Sequence, residues 1–255
     1  MRPEDPNAVP EGLLSPPVKG RLYTSGRVIR PSDTTPVGRL RLDSIARFLQ
    51  DVAQDDGDDV GWPMSIGWFM RCCAISVVKF PFYTEHLELQ TFCSATAPRW
   101  AERTTTIRGD DGGLLQAKAI WVAVDTKSRR PTRLGELFER VYAPSAEGRK
   151  ASARLTLPGP PEDGSSPARR WPIRVSDLDV WGHVNNAVYW EAVEDELALL
   201  DWLPGVARIE YNEPIESTDT PSLVSSRSES GLDLWMVDGS RLFASARVRA
   251  PLQHY

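Results

Sequence analysis

No stretch of this chain approaches the ~20 consecutive apolar residues of a membrane-spanning helix. Its first residues lack the basic-then-apolar layout of a secretory signal, and they are not the Arg/Ser-rich helix of an organelle transit peptide. Cysteine is scarce: Cys72, Cys73 and Cys93 are the only three, and they form neither a paired framework nor zinc spacing. These absences point to a cytoplasmic protein. Histidine is equally scarce, and His86, His183 and His254 lack metal-ligand spacing, so no metal is expected. There is no Gly-x-Ser-x-Gly elbow and no phosphate-cradling glycine loop. A serine hydrolase of the usual layout and a bound nucleotide are therefore unsupported, and no cofactor is expected. Excess positive charge is missing too: a net charge of −5 argues against a nucleic-acid partner.

What remains is an ordinary globular composition, 41% hydrophobic and 25% charged, over 255 residues. That length accommodates one large domain or two of about 120 residues. Residues 1–17 are rich in proline and read as a flexible segment. Beyond them lies an internal repeat. Val28–Leu40 falls over Pro172–Val184 at a constant offset of 144, with Arg30, Ser32, Asp33 and Gly38 recurring as Arg174, Ser176, Asp177 and Gly182. A helical pattern follows each copy, the first over Asp43–Gln54 with Ile45, Phe48, Leu49 and Val52 on one side.

After each helix the pattern turns to strands. The first half offers Ala74–Phe80, Leu87–Ala95, Arg103–Arg108 and Leu115–Val124; the second offers Val206–Tyr211, Ser222–Ser228, Leu232–Val237 and Ser240–Ala250. In the last, Leu242, Ala244, Ala246 and Val248 alternate with Ser245, Arg247 and Arg249, the mark of a half-buried strand. Asp110–Gly113 and Asp238-Gly239 read as hairpin turns. A helix followed by antiparallel strands, done twice, is an α+β fold. The expected division is 18–142 for the first domain, a Pro/Gly/Ser-rich linker over 143–168, and 169–255 for the second.

The chemistry concentrates in Arg174–Tyr189, which holds Asp177, Asp179, His183, Asn185 and Asn186 and runs into a helix. In that helix Val188, Ala192 and Leu199 fall near one face with Tyr189 and Val193 beside them, interrupted by Glu191, Glu194, Asp195 and Glu196. The polar cluster thus sits at a helix N-terminus, where unpaired N–H groups and the dipole favour developing negative charge. Asp and Asn in this place also serve as ordinary caps, and that reading stays open. The repeat discriminates between the halves. The first copy has Thr35 where the second has Asp179, and Arg39 where the second has His183. Only the second keeps a titratable pair, so the chemistry is expected there, with the first half shaping a binding cleft. A Cys–His pair would need a cysteine from the first half, since the second has none.

Ser176-Asp177-Leu178-Asp179-Val180 followed by His183-Val184-Asn185-Asn186 and Tyr189 resembles the signature of the plant and bacterial fatty acyl-ACP thioesterases. Thr91–Ser94, Trp100–Arg103, Ile120–Asp125 and Arg129-Arg130-Pro131 look similar too, so the resemblance covers roughly residues 20 to 250 in order. It implies a double hotdog fold, in which a long helix is wrapped by an antiparallel sheet, twice over. It also implies hydrolysis of fatty acyl-ACP or acyl-CoA. Asp179 is then the general base on water or the nucleophile itself. His183 orients water or stabilises the departing thiolate, and backbone N–H groups near Asn185 bind the oxyanion.

The carry-over is incomplete. Where plant members have Asn, two residues after the second Asp of the motif, this chain has Trp181; Asn185 or Asn186 would have to hold the water instead. A family carboxylate on a later strand aligns with Pro214, beside which stands Glu213. Arg129, Arg130, Arg133, Arg169 and Arg170 are candidates for docking acidic acyl carrier protein or the phosphates of CoA, against a reading as solvated turn and linker. A homodimer is compatible with all of this. The rival functions are a non-catalytic acyl-thioester-binding hotdog protein and a hotdog dehydratase or hydratase.

Overall fold

The computed structural model describes residues 13–161, 168–200, 202–229 and 231–251. Positions 1–12 of the expected flexible segment, 162–167 of the expected linker, and His254 lie outside the described residues. The repeat in the sequence is a repeat in space. A 3-10 turn at Pro31–Asp33 recurs at Val175–Asp177. In each, the aspartate accepts the N–H three residues earlier: Arg30 N to Asp33 Oδ2 at 2.9 Å, Arg174 N to Asp177 Oδ2 at 2.8 Å. The chain then doubles back. The Thr35 N–H donates to the Arg39 carbonyl and the Asp179 N–H to the His183 carbonyl, both at 2.8 Å. Gly38 and Gly182 sit at φ +85° and +81°, which glycine adopts at no steric cost. Both loops deliver the chain into a helix: α1 is Leu42–Asp59, and its counterpart begins at Asn186.

In chain order the elements are β1 (Tyr23–Val28), α1, β2 (Ile66–Lys79), β3 (His86–Thr96), β4 (Trp100–Gly109), β5 (Leu114–Asp125), β6 (Arg130–Pro131), α2 (Gly135–Val141), β7 (Ala168–Arg170), α3 (Asn186–Leu197), β8 (Val206–Tyr211), β9 (Ser222–Arg227), β10 (Gly231–Asp238) and β11 (Arg241–Arg249). Among the described residues every pairing between these strands is antiparallel, in the order β1-β3-β4-β5-β2-β8-β11-β10-β9-β7, with β6 beside β5. That order is palindromic. The halves meet at β2 and β8, from Cys72 opposite Glu210 to Ser76 opposite Val206, and run outward from there in mirrored succession. The two long helices pack together against this sheet. Ile45, Leu49 and Val52 of α1 and Tyr189, Trp190 and Val193 of α3 join strand residues of both halves in one continuous core. This is the double hotdog, α+β. No described helix is long and apolar enough to cross a membrane.

Several details differ from the expectations. Helix α1 runs five residues past Gln54, and β2 begins at Ile66, eight residues before the strand read from Ala74. Leu199 lies beyond α3 and is exposed, while the expected polar interruptions Glu194 and Glu196 are buried. They are tolerated because each meets arginine: Glu194 meets Arg39, and Glu196 meets Arg169 and Arg227. Strand β11 is not half-buried, for Phe243, Ala244, Ser245 and Ala246 are all enclosed. The reason is the expected linker, whose described part lies against the outer face of the sheet. Its Thr156 and Leu157 N–H groups donate to Glu210, and its Pro158 carbonyl accepts from Trp235 Nε1 at 2.8 Å and from Ser245 Oγ. At the other end, Leu14 is bonded both ways to the Gln116 side chain.

Candidate active site

A cavity of about 400 Å³ opens between the halves. One wall is the C-terminal part of α1, whose Gln50, Ala53, Gln54, Gly57 and Asp58 recur at helical spacing and so share a face. Opposite lie Cys93, Ala101 and Arg103 of β3 and β4. Aromatic rings supply much of the rest: Trp62, Trp68, Phe138 and Tyr142 cluster with centroids 5.3–6.3 Å apart. The second half contributes only its motif loop and the start of α3, namely Asp179, Val180, Trp181, Asn185 and Asn186. Met64 and Val180 line the cavity while almost fully exposed, which marks its mouth.

Asp179 is held by its own turn. Its Oδ1 accepts the Trp181 N–H at 2.8 Å and the His183 N–H at 3.4 Å, and no partner is recorded for Oδ2 among the described residues. Asn185 caps α3, its Oδ1 accepting the Ala187 N–H at 2.9 Å. The same side chain is paired with Gln50 across the halves: Gln50 Nε2 donates to Asn185 Oδ1 at 3.0 Å and Asn185 Nδ2 donates to Gln50 Oε1 at 3.1 Å. Asn186 begins α3, and its carbonyl accepts the Tyr211 hydroxyl at 3.1 Å. Trp181 lays its ring against Gly67 and beside Phe69, with centroids 5.2 Å apart.

The other expected site residues are placed differently. The His183 ring lies beside Phe69, centroids 6.2 Å apart, and is not part of the cavity wall; its approach to Asp179 is through the backbone N–H. Glu213 is exposed, pairs with Arg241 at 3.2 Å and lies off the cavity. The arginines divide. Arg129, Arg130 and Arg133 are exposed just after Thr126, a cavity-lining residue. Arg169 and Arg170 stand on β7 at the far edge of the sheet, and Arg169 is tied to Glu196 at 3.0 Å. Cys93 lines the cavity, but burial pushes its thiol up to about 12 against the pull of Arg103, so it carries no thiolate at neutral pH.

Gln50 and the aromatic wall are absent from the sequence reading. The repeat held a signal for Gln50, because the same offset sets it opposite Glu194 in the second helix. The rings gave none, since Trp62, Phe138 and Tyr142 come together only when α2 folds over the sheet.

The N-terminal domain of acyl-ACP thioesterases matches residues 21–142 and the C-terminal domain of the same family matches 162–235. An uncharacterized protein of Mycobacterium tuberculosis is 26% identical over 240 residues, covering 93% of this chain and 95% of that protein. Among solved structures, an acyl-ACP thioesterase from Bacteroides thetaiotaomicron superposes with a TM-score of 0.73 at 20% identity, over 90% of this chain and 98% of that one. The 12:0-ACP thioesterase of Umbellularia californica gives 0.74 at 16% identity, over 90% and 97%. Two family domains in sequence order cover most of the chain, and the duplicated fold is the one those two structures share: the protein belongs to the acyl-ACP thioesterase family and is a thioester hydrolase.

Proposed function

We propose that this protein hydrolyses fatty acyl-ACP, or acyl-CoA, to a free fatty acid and the thiol of the carrier. The observation that carries the reading is the position of Asp179, Asn185 and Asn186 at the edge of a ring-walled cavity built largely by the other half. The acyl chain enters between Met64 and Val180 and lies along the aromatic wall. Its thioester carbonyl then sits at the start of α3, where the Asn186 N–H and the helix dipole meet the developing oxyanion. Asp179, anchored through Oδ1, keeps Oδ2 for the chemistry. As general base it takes a proton from water as the water oxygen bonds to the carbonyl carbon. Collapse of the tetrahedral intermediate breaks the C–S bond, and the proton passes to the leaving thiolate. As nucleophile, the same oxygen bonds to the carbonyl carbon, the C–S bond breaks with release of the thiolate, and water then opens the resulting anhydride to the free fatty acid and the restored carboxylate. The His183 ring stands outside the cavity wall beside Phe69, so in this scheme His183 acts through its backbone N–H, which helps to hold Asp179 Oδ1. Glu213 has no place in this scheme.

Arg129, Arg130 and Arg133 follow the cavity-lining Thr126 and are the better candidates for docking an acidic carrier; Arg170 belongs to a distant edge. Both halves of one chain line the cavity. A cytoplasmic location belongs to the same proposal and is supported by three cysteines that are all free. A second reading, a non-catalytic acyl-thioester-binding protein, is favoured by Trp181 standing in the place of the family asparagine and by the capping bonds of Asp179 and Asn185. Thiol release from a panel of acyl-ACPs and acyl-CoAs of varied chain length tests the proposal. Release above the rate without protein supports it. Binding with no release supports the second reading, and hydration of an enoyl thioester without thiol release supports a hydratase.

A further inference from the structure

In each half, one position of the long helix reaches across to the motif loop of the other half. Gln50 of α1 meets Asn185, and Glu194 of α3, at the repeat offset of 144, meets Arg39 and the start of α1. The two contacts differ in kind. Glu194 Oε1 accepts the Leu42 N–H at 3.0 Å, and its two oxygens accept from Arg39 Nη1 and Nη2 at 3.0 and 2.5 Å. Leu42 is the first residue of α1, so this buried carboxylate occupies a donor that every helix start leaves unpaired. The matching donor of α3 is the Asn186 N–H, for which no acceptor is recorded among the described residues. Gln50 does not take it, being neutral and bonded both ways to the Asn185 side chain.

We propose that Gln50 is a positioning residue of the thioesterase reaction. By fixing the cap of α3 through Asn185 it leaves the Asn186 N–H open to the thioester oxygen, whereas Glu194 closes the same place in the first half. The inference rests on reading the start of α3 as the oxyanion site. A carboxylate at position 50 has no hydrogen for Asn185 Oδ1, and it faces an open helix terminus instead. That is the arrangement Glu194 adopts at α1.

The test is steady-state thiol release by the full chain between about pH 5 and pH 9 for wild type, Gln50→Leu and Gln50→Glu, with thermal unfolding of each. Gln50→Leu is expected to lower kcat by about tenfold with KM changed less than about threefold. Gln50→Glu should lose roughly a hundredfold in kcat at about pH 8, the scale of a lost oxyanion donor. That loss should reverse as the pH falls and the introduced carboxyl protonates, because the protonated side chain regains the hydrogen and loses the charge. A merely structural role predicts loss of activity in step with loss of stability and a variant-to-wild-type ratio flat in pH. A flat ratio, or a Gln50→Glu kcat within about twofold of wild type at about pH 8, overturns the proposal. If wild type releases no thiol from any substrate, the thioesterase reading fails separately. Binding of a non-hydrolysable acyl-CoA ketone analogue then decides: Gln50→Glu should bind about tenfold more weakly at about pH 8 but not at about pH 5, and equal binding at both overturns the proposal.

Discussion

Gly67 and Trp181 are fitted to one another: a Cβ built on Gly67 would lie 2.8 Å from Cζ2 of the Trp181 ring. The Trp181 ring is thus accommodated by a missing side chain on β2, in the facing half. Gly67→Ala should therefore displace the ring and destabilise the protein by about 1–3 kcal/mol, the usual cost of overpacking. In a Trp181→Ala background the same substitution should be nearly neutral. Chemical denaturation of the four proteins gives the coupling directly; a Gly67→Ala effect independent of residue 181 would show that the ring is not held there.

Asp179→Asn should remove most thiol-release activity, at least about a hundredfold in kcat, and leave the fold intact, since Oδ1 of an asparagine still accepts the turn N–H groups. Thr35→Ala should change turnover less than about twofold. Its Oγ1 is buried without a partner, so removing it breaks no hydrogen bond and touches no cavity wall. Equal damage from both substitutions, in folded proteins, would refute the assignment of chemistry to the second half.

The Arg39–Glu194 pair is enclosed, with side-chain exposures of 7% and 9%. Glu194→Ala strands a buried guanidinium and an unpaired helix N–H, and should cost about 3–5 kcal/mol of stability. Replacing both residues by Arg39→Met with Glu194→Leu should recover much of that loss, because it removes the charge as well as its partner. Urea midpoints with unchanged slopes are the measurement.

Glu210 joins the halves opposite Cys72, and its titration gives a pH prediction. Burial alone would raise its carboxyl. The Leu157 and Thr156 N–H groups and the Arg208 guanidinium outweigh that and hold it below its ordinary value of 4.5. A carboxyl depressed on folding adds stability above its unfolded pKa, and that contribution fades as the pH falls through the folded value. The stability advantage of wild type over Glu210→Gln should thus be full near neutrality and shrink below about pH 4.5. An advantage that grew on acidification would have the opposite sign and would exclude this linkage.

Much was legible in the sequence because it was local. The repeat offset located both motif turns, for each depends on an aspartate that bonds three residues back and a glycine at positive φ, and both are written in neighbouring residues. Helix existence and most strands followed from periodicity, and the polar cluster at the start of α3 followed from its spacing. Strand β1, the two short strands β6 and β7, and helix α2 lack such signatures. They are defined by what they pair with or cover, as Tyr23–Val28 is by β3.

What tertiary structure alone decided is the company each group keeps. Sequence distance did not show that Gln50 and Asn185, 135 positions apart, would exchange two hydrogen bonds, nor that Glu194 would be buried against Arg39. It did not show that the linker would cover the outer face of β11, or that four rings from three segments would wall one cavity. Composition and spacing determine which elements form and which groups they carry, since those depend on backbone preferences over a few residues. Whether a glutamate is a solvated interruption or a buried plug, and whether a glutamine meets the capping residue of the facing helix, depends on how two copies of one motif were packed helix against helix.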